Sequence, residues 1–385
     1  MKQLTAFLLS AFYICSSVSC QNVSSVSGEQ SSPPTPVNFR KLSSQEKQYY
    51  QQQLQNYCAK AYPDHLFSGG ILVAKNGDIV YEQYSGWKNQ QTKELNAENT
   101  PFHLASISKT FTGTAVLKLH EQGLLNIDDG IEKYFPNFPY TGITIRLLLS
   151  HRSGLPSYLN FLDKNWNRKK KATNQDVVNY MYTYKPPKQA NPNRNFHYCN
   201  TNYVLLALII EKVTQQSFPQ FMKDSVFTPL GMTNTFVFSK VDSAQYVPTY
   251  SFNNRIYPMD HLDFTYGDKN IYSTPRDLLL WDLAMYQNSY VSAATYELAT
   301  TPQSHERKSM HNYGLGWRLF EGPTPQETFV YHNGKWHGSN TVFTRFVNDT
   351  TTIIVLGNKL NRNIYGARKM ISIFNGSQKE FEVVE

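Results

Sequence analysis

The sequence predicts an α/β fold in which one sheet is split in sequence by a helical insertion. Two apolar strand patterns, Gly70–Lys75 and Asp78–Glu82, flank Asn76-Gly77, a dipeptide typical of a type I′ hairpin turn. Strand patterns return only in the last quarter of the chain, and patterns with helical spacing occupy the middle. Strands at both ends with helices between them indicate a single sheet that the two ends complete together.

Composition supports a folded, exported domain. The chain has 385 residues, of which 40% are hydrophobic, so it is not wholly disordered. The charged fraction of 17% argues against a long coiled coil, and four cysteines are too few for a disulfide framework. The net charge of +8 indicates attraction to anionic surfaces.

The N-terminus predicts export. Met1-Lys2, the apolar stretch from Leu4 to Cys15 and the small residues Ser17-Val18-Ser19 are typical of a secretory signal peptide over residues 1–19. Cys20 directly after that cut resembles the acylated first residue of a bacterial lipoprotein, although Ser17 stands where a Leu is usual. We expect a periplasmic or cell-envelope protein that lipid on Cys20 anchors to the membrane, with plain secretion as the alternative. Residues 20–42 are rich in Ser and Pro and predict an extended tether.

The remaining elements follow from local signals. Ser43-Ser-Gln-Glu46 is a capping box that opens a helix to about Lys60. Helical patterns cover Thr110–Gln122, Thr144–Ser150, Asn174–Tyr184, Tyr203–Gln215, Phe218–Val226 and Pro275–Gln287, and a closing helix covers Asn363–Phe374. Strand patterns cover Gly314–Phe320, Thr328–His332, Thr341–Phe346 and Thr351–Gly357. We therefore predict one domain over 43–376, with an α/β part at 43–116 and 305–376, a helical part at 117–304 and a tail at 377–385.

Ser106 and Lys109 form the first chemical motif, S-x-x-K. On a helix, side chains three residues apart share a face, so the hydroxyl and the amine can meet. A lysine in a dry pocket can lose its proton and help to activate the serine. The same spacing occurs at Ser44–Lys47 and Ser85–Lys88, but only the third pair has apolar surroundings at a helix start. A helix-capping serine beside an exposed lysine is the structural alternative.

Two further motifs complete the candidate site. Tyr198 and Asn200 form Y-x-N, in which a phenol near an ammonium can act as a general base and the amide can bind a carbonyl. The same spacing at Tyr158 and Tyr286 makes the triplet unspecific alone, and a turn capped by Asn200 is the alternative. His332-Asn333-Gly334 is expected at a strand end, where glycine allows close substrate approach and the N–H of Lys335 can serve an oxyanion. An ordinary Asn-Gly turn is the alternative there.

Together, these motifs resemble the serine β-lactamase and penicillin-binding-protein superfamily, and specifically its class C branch. That branch includes class C β-lactamases, D-Ala-D-Ala carboxypeptidases, D-aminopeptidases and certain esterases. The flanking segments are similar as well, including Ser150-His-Arg-Ser-Gly-Leu-Pro156 and Ile271-Tyr-Ser-Thr-Pro-Arg-Asp-Leu278. The resemblance runs from about residue 45 to 374 and implies a β-lactamase-like fold, an antiparallel sheet flanked by helices with an inserted helical subdomain.

The resemblance also implies a role for each motif residue. Ser106 would become acylated, and Lys109 and Tyr198 would move the proton from Ser106 to the leaving group and later activate water. The N–H groups of Ser106 and Lys335 would hold the oxyanion. Asn200 would orient Lys109 and the substrate. Cys199 is expected to pack, since Ser106 already supplies the nucleophile.

The third motif departs from the β-lactamase pattern. Lys-Thr-Gly or Lys-Ser-Gly is usual there, whereas His332 provides an imidazole that is mostly neutral at pH 7. We therefore expect a serine hydrolase acting on an ester, a peptide or a peptidoglycan-like substrate, and we rank an esterase or D-amino-acid peptidase above a β-lactamase proper. A non-catalytic envelope-binding protein that kept the fold is the alternative of a different class.

Other functions have little support in the sequence. Neither G-x-S-x-G nor a Walker A motif occurs, and the histidine spacing does not match a metalloprotease. The motifs imply no cofactor and no metal. Nucleic-acid binding does not suit an exported chain.

Overall fold

The computed structural model describes residues 36–239 and 246–376. The predicted signal peptide, Cys20, most of the predicted tether and the tail at 377–385 lie outside the described residues. Their predictions therefore remain predictions. Among the helices that the structure describes, none combines the length and the apolar character needed to cross a bilayer.

The main sheet is antiparallel, as the family resemblance implies, and it has seven strands. Its strands lie in the order β2-β1-β12-β11-β10-β9-β8. Their bounds are β1 Gly69–Lys75, β2 Asp78–Ser85, β8 His311–Tyr313, β9 Arg318–Phe320, β10 Phe329–Trp336, β11 Ser339–Phe346 and β12 Thr351–Gly357. The first and last strand groups meet where β1 pairs with β12, so the two ends of the domain share one sheet.

Helices and short strands fill the interval between those groups. The helices are α1 Ser44–Ala61, α2 Ser108–Glu121, α3 Ile145–Leu149, α4 Tyr158–Asn165, α5 Asn174–Tyr184, α6 Thr201–Thr214, α7 Phe218–Met222, α8 Pro275–Tyr286, α9 Ala293–Thr300 and α10 Ser372–Asn375. The remaining strands are β3 Trp87–Asn89, β4 Glu94–Leu95, β5 Phe102–His103, β6 Phe236–Val237 and β7 Ile271–Ser273. β3 pairs with β4, and β5, β7 and β6 form a three-stranded sheet.

The local signals at the start of the domain are confirmed. Ser43 caps α1 in a capping box with Glu46. Asn76 and Gly77 both have positive φ, 52° and 76°, which is the conformation that a type I′ turn requires at its two central positions. The turn fixes the pairing of β1 with β2 at this end of the hairpin.

The sheet is covered on both faces, which explains its continuous apolar strands. In β12, Ile354 and Leu356 belong to the core shared with the helical region, whereas Ile353 and Val355 belong to a second core that includes residues of α1. Successive side chains of a strand point to opposite faces. Because both faces are buried, the strand shows no apolar-polar alternation.

Several predicted bounds are wrong. The predicted strand Gly314–Phe320 begins too early, because residues 314–317 form the connection between β8, which the sequence patterns did not predict, and β9. The predicted strand Thr328–His332 stops too early, because β10 stays paired with β11 as far as Trp336 and turns only at His337-Gly338. The predicted closing helix is a 3₁₀ helix over Arg362–Ile371 followed by α10. His332-Asn333-Gly334 therefore lies within a strand and not at its end.

Candidate active site

Ser106 lies in a 3₁₀ turn that leads directly into α2. The turn covers Ala105–Ile107, and Ala105 adopts φ 49°, an uncommon conformation for a residue with a side chain. A buried hydrogen-bond chain supports it, because the N–H of Ala105 donates to Nδ1 of His103 at 3.1 Å. Nε2 of His103 therefore carries the ring proton and donates to Oδ1 of Asn270 at 2.9 Å. The start of this short helix leaves the Ser106 N–H without an intrahelical acceptor.

Lys109 lies one turn further on, with its ammonium directed at the serine. Its Nζ donates to Oγ of Ser106 at 3.0 Å and to the backbone carbonyl of Asp268 at 2.7 Å. The lysine is fully buried, whereas Ser106 keeps partial exposure. The structure thus joins a reachable hydroxyl to a dehydrated amine, which is the geometry that the S-x-x-K spacing predicts.

The other two S-x-x-K pairs are not joined in this way. Lys47 pairs with Asp78 at 2.9 Å between side chains about 40% exposed, and Lys88 pairs with Glu94 at 2.6 Å. Among the described contacts, neither lysine touches the serine of its motif. The S-x-x-K copy with apolar surroundings is therefore the one of the three in which the described contacts join the serine to the lysine.

Two cations lie close to the Tyr198 ring. Nζ of Lys109 and the guanidinium carbon of Arg318 each lie 5.1 Å from its centroid. Both charges face the ring on which negative charge develops when the phenol releases its proton. Tyr198 is partly exposed, so a substrate can reach it.

Asn200 does not make the contact that the resemblance implies. It is the N-cap residue of α6, yet its side chain does not cap the helix, and no described hydrogen bond joins it to Lys109. Lys109 instead donates a hydrogen bond to the backbone carbonyl of Asp268, which the segment preceding β7 brings against it.

The third motif packs tightly against the nucleophile turn. A Cβ on Gly334 would lie 2.2 Å from Oγ1 of Thr341 and 2.3 Å from the carbonyl of Leu104. Oγ1 of Thr341 donates to that same carbonyl at 2.8 Å. Only glycine therefore allows β10 and β11 to approach the residues just before Ser106 this closely.

His332 is a buried, neutral imidazole. Burial lowers its pKa well below the ordinary value, and the charges of Arg318 and Lys109 lower it further. Nδ1 contacts the carbonyl of Asn333 at 2.7 Å and must donate, so Nε2 accepts from the hydroxyl of Tyr313 at 3.3 Å. The imidazole supplies no positive charge to a substrate. Oδ1 of Asn333 is buried and has no partner among the described residues.

The β10–β11 hairpin beyond Gly334 is anchored from the helical side. Asp263 accepts hydrogen bonds from Nε1 of Trp336 at 2.6 Å and from Nε2 of His337 at 3.1 Å. Burial opposes its ionised form, but the hydrogen bond and charge of His337 together with the hydrogen bonds from Trp336 and the Asp260 N–H keep the pKa of Asp263 below its usual value. Asp260 completes a group close enough to hold a metal ion, although both oxygens of Asp263 already accept hydrogen bonds. These contacts fix Lys335, the expected second oxyanion donor, between two anchored neighbours.

Comparison with known proteins decides the family. The model of the Beta-lactamase family matches residues 57–372. The chain belongs to the Beta-lactamase family. Penicillin-binding protein 4* of Bacillus subtilis (strain 168) is 35% identical over 329 residues, which cover 81% of this chain and 73% of that protein. Protein flp of Staphylococcus aureus (strain MRSA252) is 27% identical over 76% of this chain and 60% of its own length. Membership supports a serine hydrolase of the acyl-enzyme type.

Solved structures share the fold. An octameric penicillin-binding protein homologue from Pyrococcus abyssi superposes with a TM-score of 0.74 at 24% identity, covering 86% of this chain and 79% of that one. The D-amino acid amidase of Ochrobactrum anthropi SV3 in complex with D-phenylalanine superposes with a TM-score of 0.67 at 20% identity, covering 86% and 97%. At these identities the likeness shows the β-lactamase-like fold and not the substrate.

Sequence reasoning missed three residues that shape this beta-lactamase-family site: Arg318, Asp268 and His103. Arg318 lies between Trp317 and Leu319, and a charge inside an otherwise apolar strand was the available signal. Asp268 contributes through its backbone, so no side-chain pattern marks it. His103 adjoins the S-x-x-K motif, but its link to Asn270 spans 167 positions.

Replacing Gly334 with alanine should both slow acylation of Ser106 and lower the melting temperature, because the added Cβ would collide with a backbone carbonyl. The added Cβ pushes β10 away from Leu104 and misplaces the Lys335 N–H, and loss of one oxyanion donor costs about 100- to 1,000-fold in kcat. The labelling rate of Ser106 by a fluorophosphonate, together with the melting temperature, measures both effects. Gly366→Ala is the matched control, because a Cβ there meets nothing within 4 Å. Equal labelling rates in the two variants would contradict the packing argument.

His103 should make the fold sensitive to acid. Burial lowers its pKa to about 4, whereas the unfolded chain binds the proton near the ordinary value of about 6.5. Below about pH 6.5 the unfolded state binds more protons than the folded state. The free energy of unfolding therefore decreases as the pH is lowered, and this residue contributes up to about 3 kcal/mol of that decrease at pH 4. Urea titrations at pH 7, 6, 5 and 4 should show a smaller decrease for His103→Gln. A decrease identical to that of the wild type would refute the assignment.

Proposed function

We propose that this protein is an exported, class C-like serine hydrolase that forms an acyl-enzyme on Ser106 with an ester or peptide, acting as a D-amino-acid peptidase or esterase rather than as a β-lactamase. The observation that carries the proposal is the 3.0 Å hydrogen bond between the buried Lys109 ammonium and the partly exposed Ser106 hydroxyl. Export, and anchoring through Cys20, belong to the same proposal.

The site residues divide the reaction into two acyl transfers. Oγ of Ser106 bonds to the substrate carbonyl carbon while its proton passes to a deprotonated base, either the free amine of Lys109 or the phenolate of Tyr198. The carbon–nitrogen or carbon–oxygen bond then breaks, and the leaving group takes up that proton. Water repeats the attack on the ester of Ser106, gives its proton to the same groups and restores the free serine.

The charge around the site favours a substrate with a carboxylate. His332 is neutral, so the third motif contributes no permanent cation. Arg318 supplies one nearby, because its guanidinium reaches the face of Tyr198. A guanidinium binds a carboxylate through two parallel hydrogen bonds, which also fixes its orientation.

A cavity of about 350 Å³ surrounds that guanidinium. Its lining includes the rings of Phe196 and Tyr313 and a second cation, Arg307. Glu306 also lines it, but it is paired with Arg152 at 2.8 Å and its pKa falls to about 2 despite some burial, chiefly through that bond. The cavity therefore suits an anionic group attached to an apolar or aromatic side chain, as in the C-terminal residue of a peptide.

The proteins similar to this chain support the ranking of a peptidase or esterase above a β-lactamase. Penicillin-binding proteins and a D-amino acid amidase share the fold, which supports acyl transfer on substrates built from D-amino acids. This chain lacks the lysine that the third motif of a β-lactamase proper usually provides, because His332 stands there. A non-catalytic envelope-binding protein has no need of the buried Lys109 ammonium, whose burial is costly without a function.

Ser106→Ala should abolish both covalent labelling and turnover. A fluorophosphonate probe requires an activated serine, so the wild type should be labelled and Ser106→Ala should not. Ser44→Ala is the matched control, because Ser44 belongs to another S-x-x-K motif whose serine lies exposed on α1. A panel of esters, D-amino-acid amides, D,D-dipeptides and nitrocefin then ranks the substrates.

Three results would overturn parts of this proposal. Absence of labelling in the wild type, or equal labelling after Ser106→Ala, would exclude the acyl-enzyme. Nitrocefin turnover faster than that of every ester and peptide would reverse the ranking in favour of a β-lactamase. Binding of peptidoglycan without turnover of any substrate would favour the envelope-binding alternative.

Arg318→Gln should discriminate between substrates with and without a carboxylate. Loss of a charged hydrogen bond reduces kcat/KM by about 10- to 100-fold for a D,D-dipeptide, while the C-terminal amide of the same peptide is affected much less. Arg307→Gln, in the same cavity but away from Tyr198, should change the ratio of the two values little. Equal losses on both peptides after Arg318→Gln would show that the arginine acts on Tyr198 alone.

A further inference from the structure

We infer that His151 is a positioning residue for Tyr198. It accepts hydrogen bonds from the residues on both sides of Tyr198 in the chain, and its imidazole packs against the Tyr198 ring. The motif that contains it, Ser150-His-Arg-Ser-Gly-Leu155, has no chemical role in the acyl-transfer steps above. The inference rests on the proposed function, because it assigns a partner to the base of that reaction.

The first observation is a clamp around Tyr198. The N–H of His197 donates to the backbone carbonyl of His151 at 2.8 Å, and the N–H of Cys199 donates to its Nδ1 at 3.0 Å. These are the two residues on either side of Tyr198. A shift of the tyrosine backbone would therefore break a hydrogen bond to His151 in either direction.

The second observation is the packing of the imidazole. Its centroid lies 4.2 Å from that of the Tyr198 ring at an interplanar angle of 35°, and Tyr203 and Tyr313 pack against it at 5.1 and 4.8 Å. His151 is fully buried. The imidazole therefore fills the space behind the Tyr198 ring and limits its rotation.

The third observation is that the residue is held in an unfavourable state. Its backbone has φ 56°, and its Nε2 is buried without a partner among the described residues. Because Nδ1 accepts a hydrogen bond, Nε2 carries the proton of the neutral ring. A strained backbone and an unsatisfied N–H both cost stability, and such costs concentrate at functional sites.

The charges that face His151 favour the same neutral form. Burial lowers its pKa well below the ordinary value, and the charges of Lys109 and Arg318 lower it further. A neutral imidazole adds no third cation beside the two that flank Tyr198. It can thus support the tyrosine without repelling Lys109.

The test is a double-mutant cycle on the labelling rate of Ser106. His151→Phe keeps a ring but removes the acceptor for Cys199, and it should slow labelling by about 10- to 100-fold. In a Tyr198→Phe background the same substitution should change the rate less than about 2-fold, because the group that it positions is already inactive. His151→Asn should recover most of the rate, since asparagine tolerates positive φ and offers an oxygen near the position of Nδ1.

A matched control separates positioning from stability. His261 is also buried, its Nε2 makes no described hydrogen bond and lies 4.0 Å from Oδ1 of Asp163, and it makes no described contact with Tyr198. His261→Phe should lower the melting temperature yet leave the labelling rate within about 3-fold. Equal losses for His151→Phe in both Tyr198 backgrounds would overturn the inference, as would a His151→Asn variant that is folded and as slow as His151→Phe. Absence of labelling in the wild type would instead reject the proposed function.

Discussion

The buried ammonium of Lys109 is the constraint on which the rest of the site depends. A fully dehydrated cation needs hydrogen-bond partners, and it has two: the Ser106 hydroxyl on its own helix and the Asp268 carbonyl from the far side of the helical region. No carboxylate neutralises it within hydrogen-bonding distance among the described contacts. Segments 159 positions apart must therefore meet at one nitrogen, and the helical region packs to satisfy it.

Aromatic rings and neutral imidazoles surround that cation, and no carboxylate pairs with it among the described contacts. Tyr198 and Tyr203 place ring faces 5.1 and 5.6 Å from Nζ, where the negative face of each ring attracts the charge. The nearby imidazoles of His151 and His332 are kept neutral by burial. A carboxylate here would bind Lys109 permanently and compete with Ser106 for its hydrogen bond. Aromatic faces stabilise the cation while leaving it free to exchange a proton.

Local sequence signals predicted the parts of this arrangement that are local. The Asn76-Gly77 turn, the capping box at Ser43 and the i, i+3 pairing of Ser106 with Lys109 depend on a few adjacent residues, and all three are formed. The end of β10 was misplaced because Asn-Gly is a turn signal only when no partner strand continues, and here β11 pairs with it as far as Trp336. The Asp268 carbonyl, the His103–Asn270 bond and the clamp of His151 on Tyr198 join distant segments, so no spacing in the sequence marks them.

His332 stands where β-lactamases usually carry a lysine, and this difference has consequences beyond the third motif. A lysine on β10 would bring a third positive charge next to Lys109 and Arg318, in a pocket where burial already disfavours charge. A neutral imidazole removes that repulsion, and its Nε2 instead accepts from Tyr313, which lines the same cavity as Arg318. The positive charge that could meet a substrate carboxylate has therefore moved from β10 to β9. We therefore propose that the cavity around Arg318 selects the substrate more than the motif that defines β-lactamases does.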